Sequence, residues 1–525
     1  MSYSWIGAPT PFNGTNSDTG GDSATENLNQ WYLHGDMAYI IVASAMVLVM
    51  IPGLGFLYSG LARRKSALSM LWACMASFSI ITFQWYFWGY SLAFSSTGTS
   101  GYIGDLRHFG LINTLGAPSP GSPLIPELLY SFYQMQFCAT TAAIVVGAVA
   151  ERGRLMPAMV WIFLWATLVY CPIACWAWNA NGWFFTWGGM DYAGGGPVEI
   201  GSGMSALAYS MVLGRRQEKM MVNFRPHNVS LIVLGTTLLW FGWLGFNGGS
   251  AFGANLRAVM ACWNSNLCAM FAAAAWTLLD FRLARKWTMV GWCSGCICGL
   301  VAATPASGFI TPWASIILGV ITGIVCNYAT KVKYLIRIDD SFDVFAEHGV
   351  AGMLGLLANG LFGADYIIGL DGVLNGTPGG WINHNYKQLY IQFAYICACT
   401  GYAFVMSAIL AHLVNVIPGL HLRASEEAEL IGMDDDQLGE FAYDYVEVRR
   451  DFLAWTPSRQ QPMQGEHHIP MEERHGIQEH SDMLEEKRDG SSSSVTAPTT
   501  ANGNQHNLVS GDRHGEQAEK VLHNE

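Results

Sequence analysis

Eleven apolar runs, near residues 37–60, 69–94, 126–149, 156–178, 197–213, 228–249, 259–280, 289–303, 312–330, 346–364 and 388–417, restrict the fold of this chain more than any other feature. In lipid every backbone polar group must be bonded within the protein, so only helices and closed barrels can span a bilayer. A helix needs about 20 apolar residues to cross, and several of these runs fall short, which leaves their boundaries soft. The composition, 51% hydrophobic and 13% charged with 58 Gly and 20 Trp, is that of a polytopic membrane protein. The expected fold class is all-α and polytopic, with eleven transmembrane helices.

Orientation follows from the basic residues, because Lys and Arg in short loops stay on the cytoplasmic side. Alternate loops carry Arg63, Arg64 and Lys65; Arg152 and Arg154; Arg215, Arg216, Lys219 and Arg225; Arg282, Arg285 and Lys286; and Lys331, Lys333 and Arg337. The opposite loops hold only Arg107, Arg257 and Lys387. The expected topology has the N-terminus outside and the C-terminus cytoplasmic. Four segments follow: an extracellular stretch at 1–36, a transmembrane domain at 37–420, an ordered cytoplasmic segment at 421–454 and a disordered acidic tail at 455–525. The first span, with its RRK stop, can insert without a cleaved signal, and Asn13-Gly-Thr becomes an exposed glycosylation candidate.

The net charge of −12 belongs to the tail, since residues 421–525 hold 22 acidic against 9 basic residues. The rest is nearly neutral, and nucleic-acid binding has no support. All twelve cysteines lie between Cys74 and Cys399, mostly in apolar runs, and read as small packing residues. Cys293, Cys296 and Cys298 have metal-like spacing but no neighbouring His or second thiol pair, so no metal is expected.

Within the apolar runs two ionisable residues stand out, each eight positions after an aspartate: Glu199 after Asp191 in DYAGGGPVE, and His348 after Asp340 in DDSFDVFAEH. A charge at mid-bilayer costs about 2.5–3.5 kcal/mol even on lenient insertion scales, so such residues mark a polar path or a proton path. They fall in the fifth and tenth runs. Leu54-Gly55-Phe56 in the first run is likewise echoed by Leu244-Gly245-Phe246 in the sixth. Five spans per half is odd, so the halves face oppositely, the inverted repeat that places a site near the midplane; the eleventh helix is then peripheral. Plainer roles stay open. Asp191 can cap a helix start, Asp340 and Asp343 beside Arg337 can cap or pair within their loop, and His348 can be a hydrogen-bonded core residue.

The chain resembles the ammonium transporter family (Amt/Mep/Rh) over about residues 37–450. The motifs that carry the likeness are DYAGGGPVE at 191–199, FRPHN at 224–228, FGWLGFNGGS at 241–250, DDSFDVFAEHGVAG at 339–352, QMQFCAT at 134–140 and GMDDDQLGEFAYDY at 432–445. The resemblance implies a homotrimer with one path per subunit. It also implies a recruitment site at Trp178, Phe137 and Ser250 backed by Asp191, a phenyl gate of Phe137 and Phe246, and a pore pair at Glu199 and His348. Most relatives carry histidine where this chain has Glu199; some fungal members share the glutamate, which makes a fungal plasma membrane the expected location.

These residue types suit ammonium. It matches potassium in charge and size, but it donates hydrogen bonds and can lose a proton. An indole face attracts any cation by about 0.5–2 kcal/mol, whereas a serine hydroxyl accepts a hydrogen bond only from a donor. The resemblance therefore points to recruitment of ammonium, and of methylammonium as a second candidate. Deprotonation, conduction of ammonia and a proton relay through Glu199 and His348 would follow, giving electrogenic uptake. No catalytic residue and no cofactor is expected. An ammonium sensor is the alternative; a neutral-gas pore fits Trp178 and Ser250 less well, and a membrane enzyme lacks a nucleophile or cofactor motif. Regulators or kinases are expected partners of the tail, with Ser491–Ser494 as candidate phosphorylation sites.

Overall fold

The computed structural model describes residues 12–16, 19–221, 225–372 and 377–443, and each apolar run lies in a helix. The rods are α1 (His34–Leu61); α2 (Ala67–Gln84, then a π-helical turn Trp85–Gly89 and Tyr90–Phe94); α3 (Glu127–Val145); and α4 (Leu155–Trp165, a π-helical turn Ala166–Tyr170, then Cys171–Trp178). They continue as α5 (π-helical turn Gly195–Ile200, then Gly201–Leu213), α6 (Val229–Gly249), α7 (Leu256–Ala284), α8 (Met289–Ala303), α9 (Pro312–Ala329), α10 (π-helical turn Phe345–Val350, then Ala351–Phe362) and α11 (Lys387–Val416). Among the described residues there is no β-strand, only isolated bridges.

Among the described residues eight helices are long and apolar enough to cross a membrane, those of α1–α4, α6, α7, α9 and α11. The three shorter rods are α5, α8 and α10. Two of these, α5 and α10, begin in π-helical turns led in by an aspartate, so part of each apolar run is spent on a specialised start. Side-chain caps fix other starts: Asn228 accepts from Leu231 N at 3.1 Å and Asn255 from Ala258 N at 3.0 Å, each satisfying a donor with no partner inside its helix.

α1 packs along α6, α7 packs against α8 and α9, and α11 lies against α4, α5 and α10. Ser407 of α11 bonds Ser205 of α5 at 2.8 Å, and the Trp161 indole of α4 donates to Ser407 O at 3.3 Å. α5 and α10 cross at Gly203 and Gly349, where a Cβ on Gly203 would meet the Gly349 backbone. Small residues of this kind let helix backbones approach. The two LGF tripeptides are not equivalent in packing: Gly55 faces Leu71 of α2, whereas Gly245 faces Ala43 and Met46 of α1. Packing partners, which a tripeptide does not encode, separate them.

The basic loops converge on one face. Arg63 Nε and Arg216 Nη1 grip the two oxygens of buried Glu151 at 3.0 and 2.6 Å, and Arg216 also holds Asp339 at 2.8 Å. Arg152, fully buried, donates to Gly214 O, Ser341 Oγ and Asp339 O, each at 2.7 Å. Burial alone would raise the Asp339 carboxyl, but the Arg216 hydrogen bonds and the Arg152 charge outweigh it and hold it well below the usual carboxylate range. Burial lowers Arg152 to about 10, with Asp339 opposing the shift. Basic residues read as a topology signal are thus also the bolts of this face. Its aspartates take the loop roles expected of them: Asp343 bonds Lys333 at 2.7 Å, while Arg337 ends its short helix in a left-handed turn with φ +58° and is exposed.

The segment after α11 clasps the same face. Arg154 N and Ala424 N exchange backbone bonds with Leu422 O and Arg152 O. A short helix, α12 (Glu426–Ile431), leads to Asp434, whose carboxylate caps α2 by accepting from Leu68 N at 3.0 Å and Ser69 N at 2.7 Å. The tail at 455–525, Ser491–Ser494 and the end of the 421–454 segment lie outside the described residues. On the opposite face the stretch before α1 is packed: Trp31 is buried and donates to Asn13 Oδ1 at 3.1 Å, while Asn13 itself stays exposed.

Candidate functional site

α5 begins where Asp191 turns its carboxylate onto a row of glycine amides. Oδ1 accepts from Gly194 N at 3.0 Å and Gly195 N at 2.6 Å, and Oδ2 from Gly196 N at 2.8 Å. Gly194 has φ +116°, a conformation L side chains rarely adopt, and a Cβ on Gly196 would strike the Tyr395 hydroxyl. The GGGP run therefore exists to let Asp191 and Tyr395 close on this start, with Tyr395 donating to Asp191 Oδ2 at 3.4 Å. Asp191 is a cap, as its plainer reading holds. Its backbone also faces the aromatic site, since the Trp178 indole N–H donates to Asp191 O at 3.1 Å. Asp191 lies outside the spanning helices, and burial pushes its carboxyl up to about 6 against the pull of the three amides.

Four helices bring the aromatic residues together. Phe137 of α3 stacks on Phe246 of α6, centroids 3.7 Å apart, and meets Trp178 of α4 edge-on at 6.2 Å; Phe94 of α2 stacks parallel to Trp178 at 6.4 Å. Ser250 is buried and donates to Phe246 O at 2.9 Å, which leaves its oxygen lone pairs to accept. Sequence reasoning missed Tyr133, whose hydroxyl donates to Phe246 O at 2.6 Å and lies 3.5 Å from Ser250 Oγ. It sits one helical turn before Phe137, and that i, i+4 spacing was the available signal. Phe94 had no comparable signal.

Glu199 and His348 meet deeper in the fold. Both lie in the opening π-helical turns of their helices, and both are buried, Glu199 completely. Glu199 Oε2 is 2.8 Å from His348 Nδ1. The other carboxylate oxygen, Oε1, makes no hydrogen bond of ordinary geometry, and the Thr304 side chain lies beside the carboxylate. At this distance a carboxyl and an imidazole can share one proton, as acid with neutral ring or as carboxylate with imidazolium. π-helical turns are rare and concentrate at functional sites, and here each aims an ionisable group inward that regular helical geometry would rotate away. Above the pair, Trp243 of α6 donates to Thr304 Oγ1 at 2.8 Å, joining the second-half helices to the Phe246 side.

An all-helical fold with spans of membrane length, an aromatic cage beside a hydroxyl, and a buried carboxyl–imidazole pair define a multi-pass membrane protein that handles a small cation or a proton, rather than an enzyme. The chain belongs to the ammonium transporter family: the model of the "Ammonium Transporter Family" matches residues 38–443. It is 53% identical over 444 residues to Ammonium transporter 2 of Schizosaccharomyces pombe, covering 84% of this chain and 87% of that one. It is 54% identical over 425 residues to Ammonium transporter MEP3 of Saccharomyces cerevisiae, covering 81% and 86%. The crystal structure of Saccharomyces cerevisiae Mep2 superposes with a TM-score of 0.74 at 46% identity, covering 81% of this chain and 97% of that chain. A solved structure described as a Sensor Amt Protein aligns at only 26% identity with a TM-score of 0.68, covering 77% and 98%. The sensor alternative is therefore not the favoured one.

Proposed function

We propose that this chain carries ammonium across a membrane by recruiting the cation at Trp178, Phe137 and Ser250, stripping one proton, and passing ammonia and the proton separately. The observation that carries this reading is the buried 2.8 Å contact of Glu199 with His348, in a fold that also holds a stacked phenyl pair offering a bare ion nothing in place of its water. Trp178 supplies a π face for the cation. Ser250 supplies an acceptor that ammonium can use and potassium cannot, and Asp191 behind them adds negative potential. The Phe137–Phe246 stack is too close for an atom to pass between, so conduction requires one ring to swing aside.

The proton follows a different route from ammonia, through Glu199 and His348. Net charge then moves, and uptake responds to membrane potential. In this reading all eleven helices span, in two inverted sets of five with α11 outside. The similar starts of α5 and α10, each with an aspartate, a π-helical turn and an ionisable residue, support that arrangement. The face where the basic loops meet is cytoplasmic, the chain forms a trimer in a plasma membrane, and residues 421–454 are its ordered inner segment. Currents in proteoliposomes test the reading. Ammonium should evoke an inward current that potassium does not, and the absence of any ammonium-evoked current would sink the electrogenic mechanism.

A further inference from the structure

Glu347 is a carboxyl group that the mechanism above leaves unused. It precedes His348 in the π-helical turn Phe345–Val350 and is 9% exposed. It lines a cavity of about 610 Å³ on the basic-loop face, with Ser294 of α8, Phe342 and Asp343; His348 is not part of that lining. Of the cations lining this cavity, Arg216 is held by Glu151 and Asp339 and Lys333 by Asp343, while Arg215 and Arg337 are exposed. Among the described residues no Lys, Arg or His forms an ion pair with Glu347. A buried carboxyl without a counter-ion is costly as an anion and readily holds a proton or a small cation.

We infer that Glu347 is the inner terminus of the relay, taking the proton released by the Glu199–His348 pair and giving it to ammonia that emerges in this cavity. The step balances without another reactant. The imidazolium N–H of His348 breaks and Glu347 becomes the neutral acid; then its O–H breaks as the ammonia lone pair forms the fourth N–H bond, leaving a carboxylate beside an ammonium ion. Groups from every packed element stand around it. Asp340, Asp343 and Lys333 belong to the α9–α10 loop, Arg215 and Arg216 to the α5–α6 loop, Ser294, Cys293 and Cys298 to α8, and Tyr58 to α1. Only Glu347 joins the relay helix to the cavity.

This inference rests on the transport reading above, and the two are separable by experiment. Full-length protein, Glu347→Gln and Glu347→Asp are reconstituted in liposomes, and ammonium-evoked current is recorded while internal pH is varied. Glu347→Gln should lower the current by about tenfold or more, within the range that one positioned proton-transfer group supplies, and flatten its dependence on internal pH. Glu347→Asp should restore much of the current with a displaced pH profile. Melting temperature and oligomer size should be unchanged in both. A conducting Glu347→Gln variant with the wild-type pH profile would overturn the role. So would a current loss that accompanies a lower melting temperature while Glu347→Asp keeps the wild-type profile, which would make Glu347 merely structural. A wild-type protein without current would instead defeat the electrogenic reading itself.

Discussion

At the start of α5 the Asp191 carboxylate takes three glycine N–H groups and the Tyr395 hydroxyl, with no ion-pair partner among the described residues; at the start of α10 Asp340 accepts from Phe345 N at 2.9 Å with Val344 N beside it, and Lys333 bonds its backbone oxygen at 3.3 Å. The parts are alike, yet one start keeps a negative group compensated only by dipoles, while the other sits among Lys333, Arg216 and Arg152. Dipoles hold a carboxylate in place without cancelling its charge. The first arrangement therefore leaves a field at the aromatic site, and the second spends its charge on holding loops together.

The sharpest way to break this comparison is at the residues the two starts deliver. Glu199→Gln keeps shape but removes the exchangeable acid, and the ammonium current should fall by tenfold or more, about 1.4 kcal/mol or greater in barrier. Glu199→His, recorded beside it with ammonium and potassium, should conduct; a dead His variant with a live Gln variant would refute the shared-proton role. A smaller, asymmetric effect is expected one turn back. Asp191→Asn retains an acceptor for the cap and should cut uptake by about 2- to 10-fold, the effect of losing one partly screened charge. Asp340→Asn should change uptake by less than twofold and lower the melting temperature instead. Equal uptake losses in both would erase the distinction.

Protons offer a third handle. Because burial raises Asp191 to about 6, the field at the aromatic site should fade, and uptake at fixed ammonium should decline, as outside pH drops through about 6. Asp191→Asn should lose that limb. The stability sign is opposite: a raised carboxyl favours the folded state below its usual value of 3.8, a contribution lost as pH rises through about 6. For Asp339, held below its usual value, stability is complete above 3.8 and is lost only in stronger acid. Thermal melting of Asp191→Asn and Asp339→Asn, carried from neutral pH into strong acid, separates these slopes. The smallest expected effect comes from deleting 455–525, which should leave basal uptake unchanged; abolished uptake in a well-expressed truncation would move control of the path into the tail.

Much of the site was legible in motifs. Phe137, Phe246, Ser250 and Asp191 came from their places in long matches, Trp178 from the family resemblance, and Glu199 and His348 from their spacing after an aspartate as well as from the motifs; the structure brings the aromatic group together and joins the last two. Tyr133 and Phe94 escaped because their roles are contacts between helices, and no local pattern separates a tyrosine that pins a backbone from one that fills a core. Glu347 stood in plain view beside His348, but adjacency on a helix does not reveal which residue turns toward a cavity. Capping or loop pairing by Asp340 and Asp343 is what the structure shows, with Asp340 accepting from Phe345 N and Asp343 held by Lys333; which cation of the loop would serve was not written in the local sequence.

The sequence by itself determined that the chain forms apolar helices, which face carries the basic loops and to which transporter family it belongs, because hydropathy, charge bias and long motifs are properties of local segments. Only the tertiary structure decided that Glu199 and His348, 149 positions apart, share a 2.8 Å contact, that the Phe137 and Phe246 rings stack at 3.7 Å, and that Glu347 opens on the cavity of the basic-loop face. Those facts depend on how α5 and α10 cross at two glycines and on the π-helical turns that rotate their first residues. Both are settled by packing against other helices, where van der Waals contact between distant segments fixes what no segment specifies alone.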